Sequence, residues 1–206
     1  MAEQSASDLK LVQYLNEAYG KEKELETALQ AHIAMTTKPP YKRRLQQHLK
    51  ETKGHARQVE RRIKQLGGRA EIVTAPGPVG EAASAVSAAA SKAVAAAKGP
   101  LHALRGTGES EKMLKNAKTE YWNEFEEIAQ YTAIVTLADT VGDKDTAKIA
   151  RGIRREEERM AKFLEGQIPQ LTKGVAREEI PAAERRRSNG SRSRRRPRSA
   201  ARSRAS

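Results

Sequence analysis

Three glutamates in this sequence stand where a helix would bury its apolar face: Glu22, Glu124 and Glu157. Apolar residues on either side of each recur at intervals of three and four, which is the spacing of one face of an α-helix. A carboxylate buried without a partner costs several kcal/mol and usually takes up a proton instead. Carboxylates that face one another cannot all stay ionised unless a cation lies between them, so the pattern predicts a metal site.

Further oxygen and nitrogen donors accompany these glutamates. Glu51 and His55, together with His48, follow one edge of the apolar face of the second predicted helix, and Glu127 follows Glu124 by three residues. Carboxylate and imidazole ligands suit iron, manganese or zinc. The chain has no Cys, so thiolate ligands and disulfides are excluded. The candidate ligands are Glu22, Glu51, His55, Glu124, Glu127 and Glu157, and the expected metal is iron, as a di-iron centre, or manganese.

The depth of these residues along the predicted helices favours one common site. Two turns are expected, near Lys38–Pro39 and near Asp143–Lys144, and the candidate ligands lie about 13 to about 19 residues from one or the other. All of them therefore fall within about two helical turns of one level. The alternative is a solvated face, on which the same glutamates pair with Lys21, Arg57 or Arg155 and bind no metal.

Four long amphipathic helices must position these residues. Periodicity predicts them from Ser7 or Asp8 to about Thr36, from Pro39 to Leu66, from Ser110 to about Ala138 and from about Asp145 to Leu171. Pro169 is expected to kink or stop the last. Tight turns join the first helix to the second and the third to the fourth, and a connection of about 43 residues joins the two pairs. The predicted fold is therefore all-α: a ferritin-like four-helix bundle of two antiparallel hairpins joined by a long crossover.

These patterns divide the chain into five segments. They are a flexible N-terminus (1–7), the first hairpin (8–66), an Ala-rich crossover (67–109), the second hairpin (110–173) and a disordered Arg-rich tail (174–206). The Ala-rich run from Glu81 to Lys98 predicts a short or fraying helix within a linker. His102, in the same linker, has no assigned role. His32 is expected to be a partly buried surface residue rather than a ligand.

The tail carries most of the positive charge. Eleven arginines against three glutamates give residues 174–206 a net charge of +8, out of +13 for the whole chain. Arginines fork onto phosphates with an affinity that depends on salt and not on sequence, so DNA or RNA is the expected partner. The alternative is a solubilising tail that binds nothing specific. The arginines expected to contact nucleic acid are Arg185, Arg186, Arg187, Arg192, Arg194, Arg195, Arg196 and Arg198.

The N-terminus, "MAEQSASDLK", has no basic flank followed by an apolar run, and no stretch approaches the roughly 20 apolar residues of a membrane span. A soluble cytoplasmic protein without membrane attachment is expected, associated with the nucleoid if the tail binds DNA.

Four short motifs resemble, in order and spacing, the YciE/YciF-type ferritin-like stress proteins of bacteria. The motifs are "YGKEKELETAL", "HLKETKGHARQVERRI", "EEIAQYTAIVTLADTVG" and "REEER", and the resemblance covers about residues 8–66 and 110–171. It implies a ferritin-like bundle, a homodimer, a two-metal carboxylate centre and a link to the stress response.

In ferritin-like proteins with a di-iron site, two helices give one Glu each and two give Glu-x-x-His. The resemblance places Glu22 and Glu124 at the single glutamates, and Glu51 and Glu157 at the glutamates of the other two helices. The histidines depart from this pattern, because Gly54 follows Glu51 by three residues and a methionine follows Glu157 by three. The resemblance therefore implies a carboxylate-rich centre in which Glu127 or another oxygen donor replaces the missing histidines.

Two functions are expected from these patterns. The first is a metal-binding ferritin-like protein that sequesters or oxidises iron during stress. The second is a metal-free helical scaffold that associates with nucleic acid through its tail. Catalysis itself is left open.

Overall fold

The computed structural model describes residues 4–72 and 108–185 as four long helices. They are α1 (Ala6–Met35), α2 (Pro39–Gln65), α3 (Glu109–Val141) and α4 (Lys144–Glu179). These two ranges contain no β-strand, and the all-α four-helix bundle predicted from the sequence is confirmed. The Ala-rich run and His102 lie outside the described residues.

The helix ends follow local chemistry. The Ser5 side chain accepts a hydrogen bond from the Asp8 backbone N–H, so the first cap lies two or three residues earlier than predicted. Pro39 begins α2, a position where its missing N–H costs nothing. Gly142 takes the left-handed conformation (φ 79°) after α3, and the Asp143 side chain caps α4. These caps produce the two tight hairpin turns that the sequence predicted.

The fourth helix continues beyond the predicted boundary at residue 173 and ends at Glu179. Pro169 neither stops it nor marks its end, because this residue is exposed and water can satisfy the backbone carbonyl freed one turn earlier. Gly174 is buried, and a Cβ there would lie 2.6 Å from Oγ of Ser110. Glu178 then accepts a hydrogen bond from the Ser110 backbone N–H at 3.2 Å. Residues 174–179 were assigned to a disordered tail because their packing against α3 leaves no periodic signal in an Arg-rich sequence.

The helices surround two large apolar clusters stacked along the bundle, and a third, smaller cluster comprises Leu11, Ala138 and Ala147. Helix α1 packs beside α2 and α3, while α4 packs beside α3 and α2. One cluster includes Leu15, Val59, Ile63, Tyr131 and Ile153; the other includes Leu29, Tyr41, Leu45, Met160 and Leu164. On every helix, a short stretch with buried polar residues separates the residues of one large cluster from those of the other. The candidate ligands lie in these stretches.

A side-chain link joins the two hairpins at one end of the bundle. Nη2 of Arg62, at the end of α2, donates to both carboxylate oxygens of Asp143, at 2.8 and 2.7 Å. Nε of Arg62 also donates to Oγ1 of Thr146 at 2.7 Å. The described helices include none that is long and apolar enough to cross a membrane.

Candidate metal centre

Six ionisable side chains from all four helices converge between the two apolar clusters. Each is at most 1% exposed, although each belongs to a residue type that is rarely fully buried. Helix α1 contributes Glu22, α2 contributes His48 and His55, α3 contributes Glu124 and Glu127, and α4 contributes Glu157.

Within the described ranges, two groups of these side chains have the spacing of metal ligands, and Glu157 belongs to both. In one group, Nδ1 of His55 lies 2.8 Å from Oε1 of Glu157 and 3.5 Å from Oε1 of Glu22. In the other, Nε2 of His48 lies 3.1 Å from Oε1 of Glu124 and 3.7 Å from Oε2 of Glu157. The ligand atoms of each group lie within 4.8 Å of one another. The two oxygens of Glu157 thus face different groups, as a bridging carboxylate would.

The inward-facing atoms lack the hydrogen bonds that buried polar atoms normally make. Among the residues the structure describes, no hydrogen-bond partner is found for Oε2 of Glu22, Oε2 of Glu124, Oε1 of Glu127 or Oε2 of Glu157. Nδ1 of His55 and Oε1 of Glu157 form a close ion pair, at 2.8 Å, but not a well-directed hydrogen bond. Leaving a buried polar group unsatisfied costs about 1–3 kcal/mol, and more when the group is charged. Oxygen and imidazole donors that point at one another are a set that iron, manganese or zinc would satisfy. The donor set therefore fits a pair of such ions.

Each histidine is held from behind by a carboxylate. Oε2 of Glu156, half-exposed on α4, lies 2.8 Å from Nε2 of His55, so the Nδ1 atom of His55 faces inward. Oε2 of Glu51 lies 3.3 Å from Nδ1 of His48 and accepts a hydrogen bond from Arg44 at 2.9 Å, so Nε2 of His48 faces inward. Carboxylates in this position fix the tautomer and orientation of a metal-ligating imidazole.

Burial and mutual repulsion raise the pKa of most of the inward carboxyls. Burial raises the pKa of Glu22, with a contribution from Glu157, against the favourable interaction with His55. Burial raises the pKa of Glu124 to about 8. Burial, and then the charges of Glu22, Glu157 and Glu124, hold the pKa of Glu127 well above its ordinary value. Without a metal, these carboxyls therefore tend to keep their protons.

The histidines respond in the opposite direction. Burial opposes the charged imidazolium, but Glu124, Glu51 and Glu157 outweigh it and raise the pKa of His48 to about 10. Burial likewise opposes the charge on His55, and Glu157 and Glu22 raise its pKa to about 11. For Glu157, the interaction with both histidines overcomes burial and lowers the pKa. Positive charge between the carboxylates therefore stabilises the site, and in the absence of metal the protons on the two histidines supply it.

The structure brings four of the six predicted ligands, Glu22, His55, Glu124 and Glu157, into the two groups. Glu127 is buried near their charges but belongs to neither group, and Glu51 also lies outside both. Thr52, the next residue, takes the buried position between the two histidines, while Glu51 turns to the edge of α2 toward Arg44. The helical rotation of 100° per residue separates the two positions.

His48 was not among the predicted ligands, although the sequence places it on the same edge of α2 as His55. The Glu-x-x-His motif implied by the resemblance expects a histidine three residues after Glu51, whereas His48 lies three residues before it. The signal that identifies the pair is the separation of seven residues between His48 and His55, which puts both imidazoles on one face, two turns apart. A second omission was Glu120, which is fully buried on α3. Its spacing of four residues before Glu124 was the available signal.

The fold and the arrangement of donors define a ferritin-like four-helix bundle with a carboxylate–histidine cluster at its centre. The chain belongs to the family described as domain of unknown function DUF892, which matches residues 7–177. The resemblance to the YciE/YciF-type ferritin-like stress proteins is confirmed.

Solved structures with the same fold come from several bacteria. A protein from Xanthomonas campestris is 27% identical, with a TM-score of 0.64, and the match covers 85% of this chain and 100% of the other. The Escherichia coli stress protein YciF is 18% identical, with a TM-score of 0.59 over 82% of this chain and 98% of its own. A Desulfovibrio desulfuricans bacterioferritin with a diiron site is 16% identical, with a TM-score of 0.60 over 84% and 86%. At such identities the last two show the shared fold alone.

Proposed function

We propose that this protein binds a pair of transition-metal ions, iron or manganese, at the centre of its helical bundle. The observation that carries the proposal is Glu157, whose two buried oxygens make no well-directed hydrogen bond and face two separate histidine–glutamate groups. His55 and Glu22 would hold one ion, His48 and Glu124 the other, and Glu157 would be shared. The diiron site of the bacterioferritin that has this fold supports a two-metal assignment.

Glu127 and Glu51 take different parts in this proposal. Glu127 has an unpartnered buried oxygen, and the charges of Glu22, Glu157 and Glu124 act on it, so it is assigned as a further ligand. Glu51 is assigned to holding His48 in position rather than to the metal, because it contacts the outer nitrogen of that ring. The phenol of Tyr131 donates to Oε1 of Glu22 at 2.6 Å and orients that carboxylate.

An iron or manganese pair in this position would supply redox chemistry, whereas zinc would supply chiefly charge. The two apolar clusters exclude bulk water from both ends of the site. The proposed role is sequestration or oxidation of iron in the bacterial cytoplasm, and the fold shared with the stress protein YciF supports a role in stress.

Metal content measures this function directly. The full chain is stripped with a chelator, incubated anaerobically with Fe(II) or Mn(II), desalted and analysed by mass spectrometry. We expect two equivalents per chain, and a loss of both in Glu22→Gln combined with Glu157→Gln. The exposed Glu165→Gln on α4 is the matched control and keeps both. A wild-type chain that retains neither metal contradicts the proposal.

A second copy of this chain is the proposed partner of the outer face of α3. From Ile128 to Ala138 this helix carries no charged residue, and Trp122 and Phe125 are 75% and 50% exposed. Two α3 helices packed antiparallel about Ala129 would place Lys118 of one copy near Asp139 of the other. Light scattering after size exclusion should give a dimer for wild type and a monomer for Trp122→Glu combined with Phe125→Glu; a monomeric wild type refutes the dimer.

Nucleic-acid binding by the Arg-rich tail remains a second proposed function, supported by composition. Arg185, where the described residues end, donates to the carbonyl of Ala176 at 3.3 Å. The other seven arginines assigned to nucleic acid lie outside the described residues. DNA retardation at two salt concentrations, with the full chain and with a chain ending at Arg185, tests this function. Salt-sensitive DNA binding should be lost on truncation. Equal DNA binding by the full and truncated chains would exclude the tail as the binding segment.

A further inference from the structure

A second buried polar group lies one helical turn beyond the metal centre. Glu120 on α3 is 0% exposed and forms an ion pair with Nδ1 of His32 on α1. Tyr41 on α2 is 1% exposed, and burial, with a further contribution from the charge of Glu120, holds its pKa above the ordinary value. None of these three side chains belongs to the two groups described above.

This group continues the ligand rows of two helices. On α2, Tyr41, His48 and His55 follow one another at intervals of seven residues, so they share a face and lie two turns apart. On α3, Glu120, Glu124 and Glu127 lie at intervals of four and three. Glu120 is therefore displaced from Glu124 by about 6 Å along the helix axis.

Two atoms of the group have no hydrogen-bond partner within residues 4–72 and 108–185: Oε2 of Glu120 and Oη of Tyr41. Both atoms are buried, and Tyr41 itself belongs to the apolar cluster that contains Leu29, Leu45 and Met113. A simple ion pair would account for one oxygen of Glu120 and leave the second oxygen and the phenol unsatisfied, at about 1–3 kcal/mol each. A cation held by imidazole, carboxylate and phenol would satisfy all of them.

His32 connects the group to the surface. Its side chain is 12% exposed, whereas Glu120 is enclosed behind it. The order from the outside inward is thus His32, Glu120 and then Glu124 of the metal centre. Glu120 and Glu124 offer carboxylate oxygens one helical turn apart along α3. A divalent ion bound beside His32 could therefore move toward the centre by exchanging one ligand at a time.

We propose that His32, Tyr41 and Glu120 form a third, exchangeable cation site that supplies divalent metal to the buried pair. The supply role rests on the proposed two-metal function, whereas the existence of the site does not. The ions for which the donor set is suited are divalent first-row transition metals, and Co(II) alone serves as the probe.

The first experiment asks whether the site exists, independently of the centre. The full chain carrying Glu22→Gln and Glu157→Gln is dialysed against Co(II), with and without Glu120→Gln. We expect about one Co(II) per chain, lost when Glu120 is changed and kept in the exposed control Glu165→Gln. Equal Co(II) content with and without Glu120→Gln overturns the proposal, whatever the centre binds.

The second experiment tests supply. Wild type and Glu120→Gln are stripped of metal and mixed with Co(II), and bound metal is followed over time. The variant should reach the same two equivalents at the centre at least tenfold more slowly. His32→Gln, at a partly exposed position, should also slow loading and serves if Glu120→Gln fails to fold. Equal loading rates in a folded variant refute supply. A wild type that loads nothing at the centre refutes the two-metal function instead, and the first experiment still decides the third site.

Discussion

Replacing Glu127 by Gln should make the metal-free protein more stable. The carboxyl of Glu127 is fully buried, one of its oxygens has no partner, and Glu22, Glu124 and Glu157 surround it with like charge. At neutral pH this group either carries an unpaired charge or retains a proton that it would release in water. An isosteric amide does neither, and its N–H groups can donate to the neighbouring carboxylate oxygens.

The size of the effect follows from the cost of the buried group. Removing an unsatisfied buried polar atom is worth about 1–3 kcal/mol. A gain of about 2 kcal/mol would raise the melting temperature by about 4 to 8 °C in a chain of this length. The direction in which stability changes with pH also follows, because a carboxyl whose pKa is raised on folding binds more protons in the native state than in the unfolded state. The metal-free wild type therefore loses up to about 1.4 kcal/mol of stability per pH unit as pH rises above the ordinary carboxyl pKa, and the variant lacks this contribution.

Thermal and urea denaturation of chelator-treated protein, from about pH 5.5 to about pH 8.5, measure these effects. The exposed Glu165→Gln is the control, with an expected change within about 0.5 kcal/mol. In the presence of Fe(II) or Mn(II) the order should reverse if Glu127 is the further ligand proposed above, because Glu127→Gln would then weaken the stabilisation by bound metal. A metal-free Glu127→Gln protein that is less stable than wild type at every pH would refute this reasoning.

Three further predictions concern the metal centre, the cap of α4 and the apolar core. Glu156→Gln should weaken metal affinity by about 10- to 100-fold through loss of the carboxylate that orients His55, whereas Glu158→Gln should leave it unchanged in the same titration. Asp143→Ala should lower the free energy of unfolding by about 1 kcal/mol through the lost cap of α4. Burial opposes ionisation of Asp143, but hydrogen bonds, first from Arg62, lower its pKa. The carboxylate therefore stabilises the fold at pH values above the ordinary Asp pKa. The difference in unfolding free energy between wild type and variant should vanish as acid protonates the native carboxylate. Leu164→Ala should lower the free energy of unfolding, measured by urea denaturation, by about 2–5 kcal/mol. Leu9→Ala, at a 54% exposed position, should lower it by less than about 0.5 kcal/mol. Equal losses in the two variants would contradict the assigned core.

The fold was predictable because its signals are repeated many times along the chain. Apolar residues at intervals of three and four occur over every helix, and Pro39 and Gly142 mark the two turns. The end of α4 was not predictable in the same way, because it depends on tertiary contacts between Gly174, Glu178 and Ser110. The local sequence of this segment could not predict contacts with Ser110, which lies more than 60 residues earlier in the chain.

The site was only partly predictable, since periodicity fixes the face of a helix but not the direction of each side chain on its edge. Glu22, Glu124 and Glu157 lie on helix faces so apolar that burial followed from spacing. Glu51 and His48 both lie near the edge of α2, and the competition between Thr52 and Glu51 for the inward position is settled by packing.

X-ray anomalous scattering from crystals grown with Fe(II) tests the two-metal centre most directly. The account predicts two iron peaks, one beside His55 and Glu22 and one beside His48 and Glu124, with the carboxylate of Glu157 between them. Density without iron at these residues, or iron bound only at surface carboxylates, would contradict it.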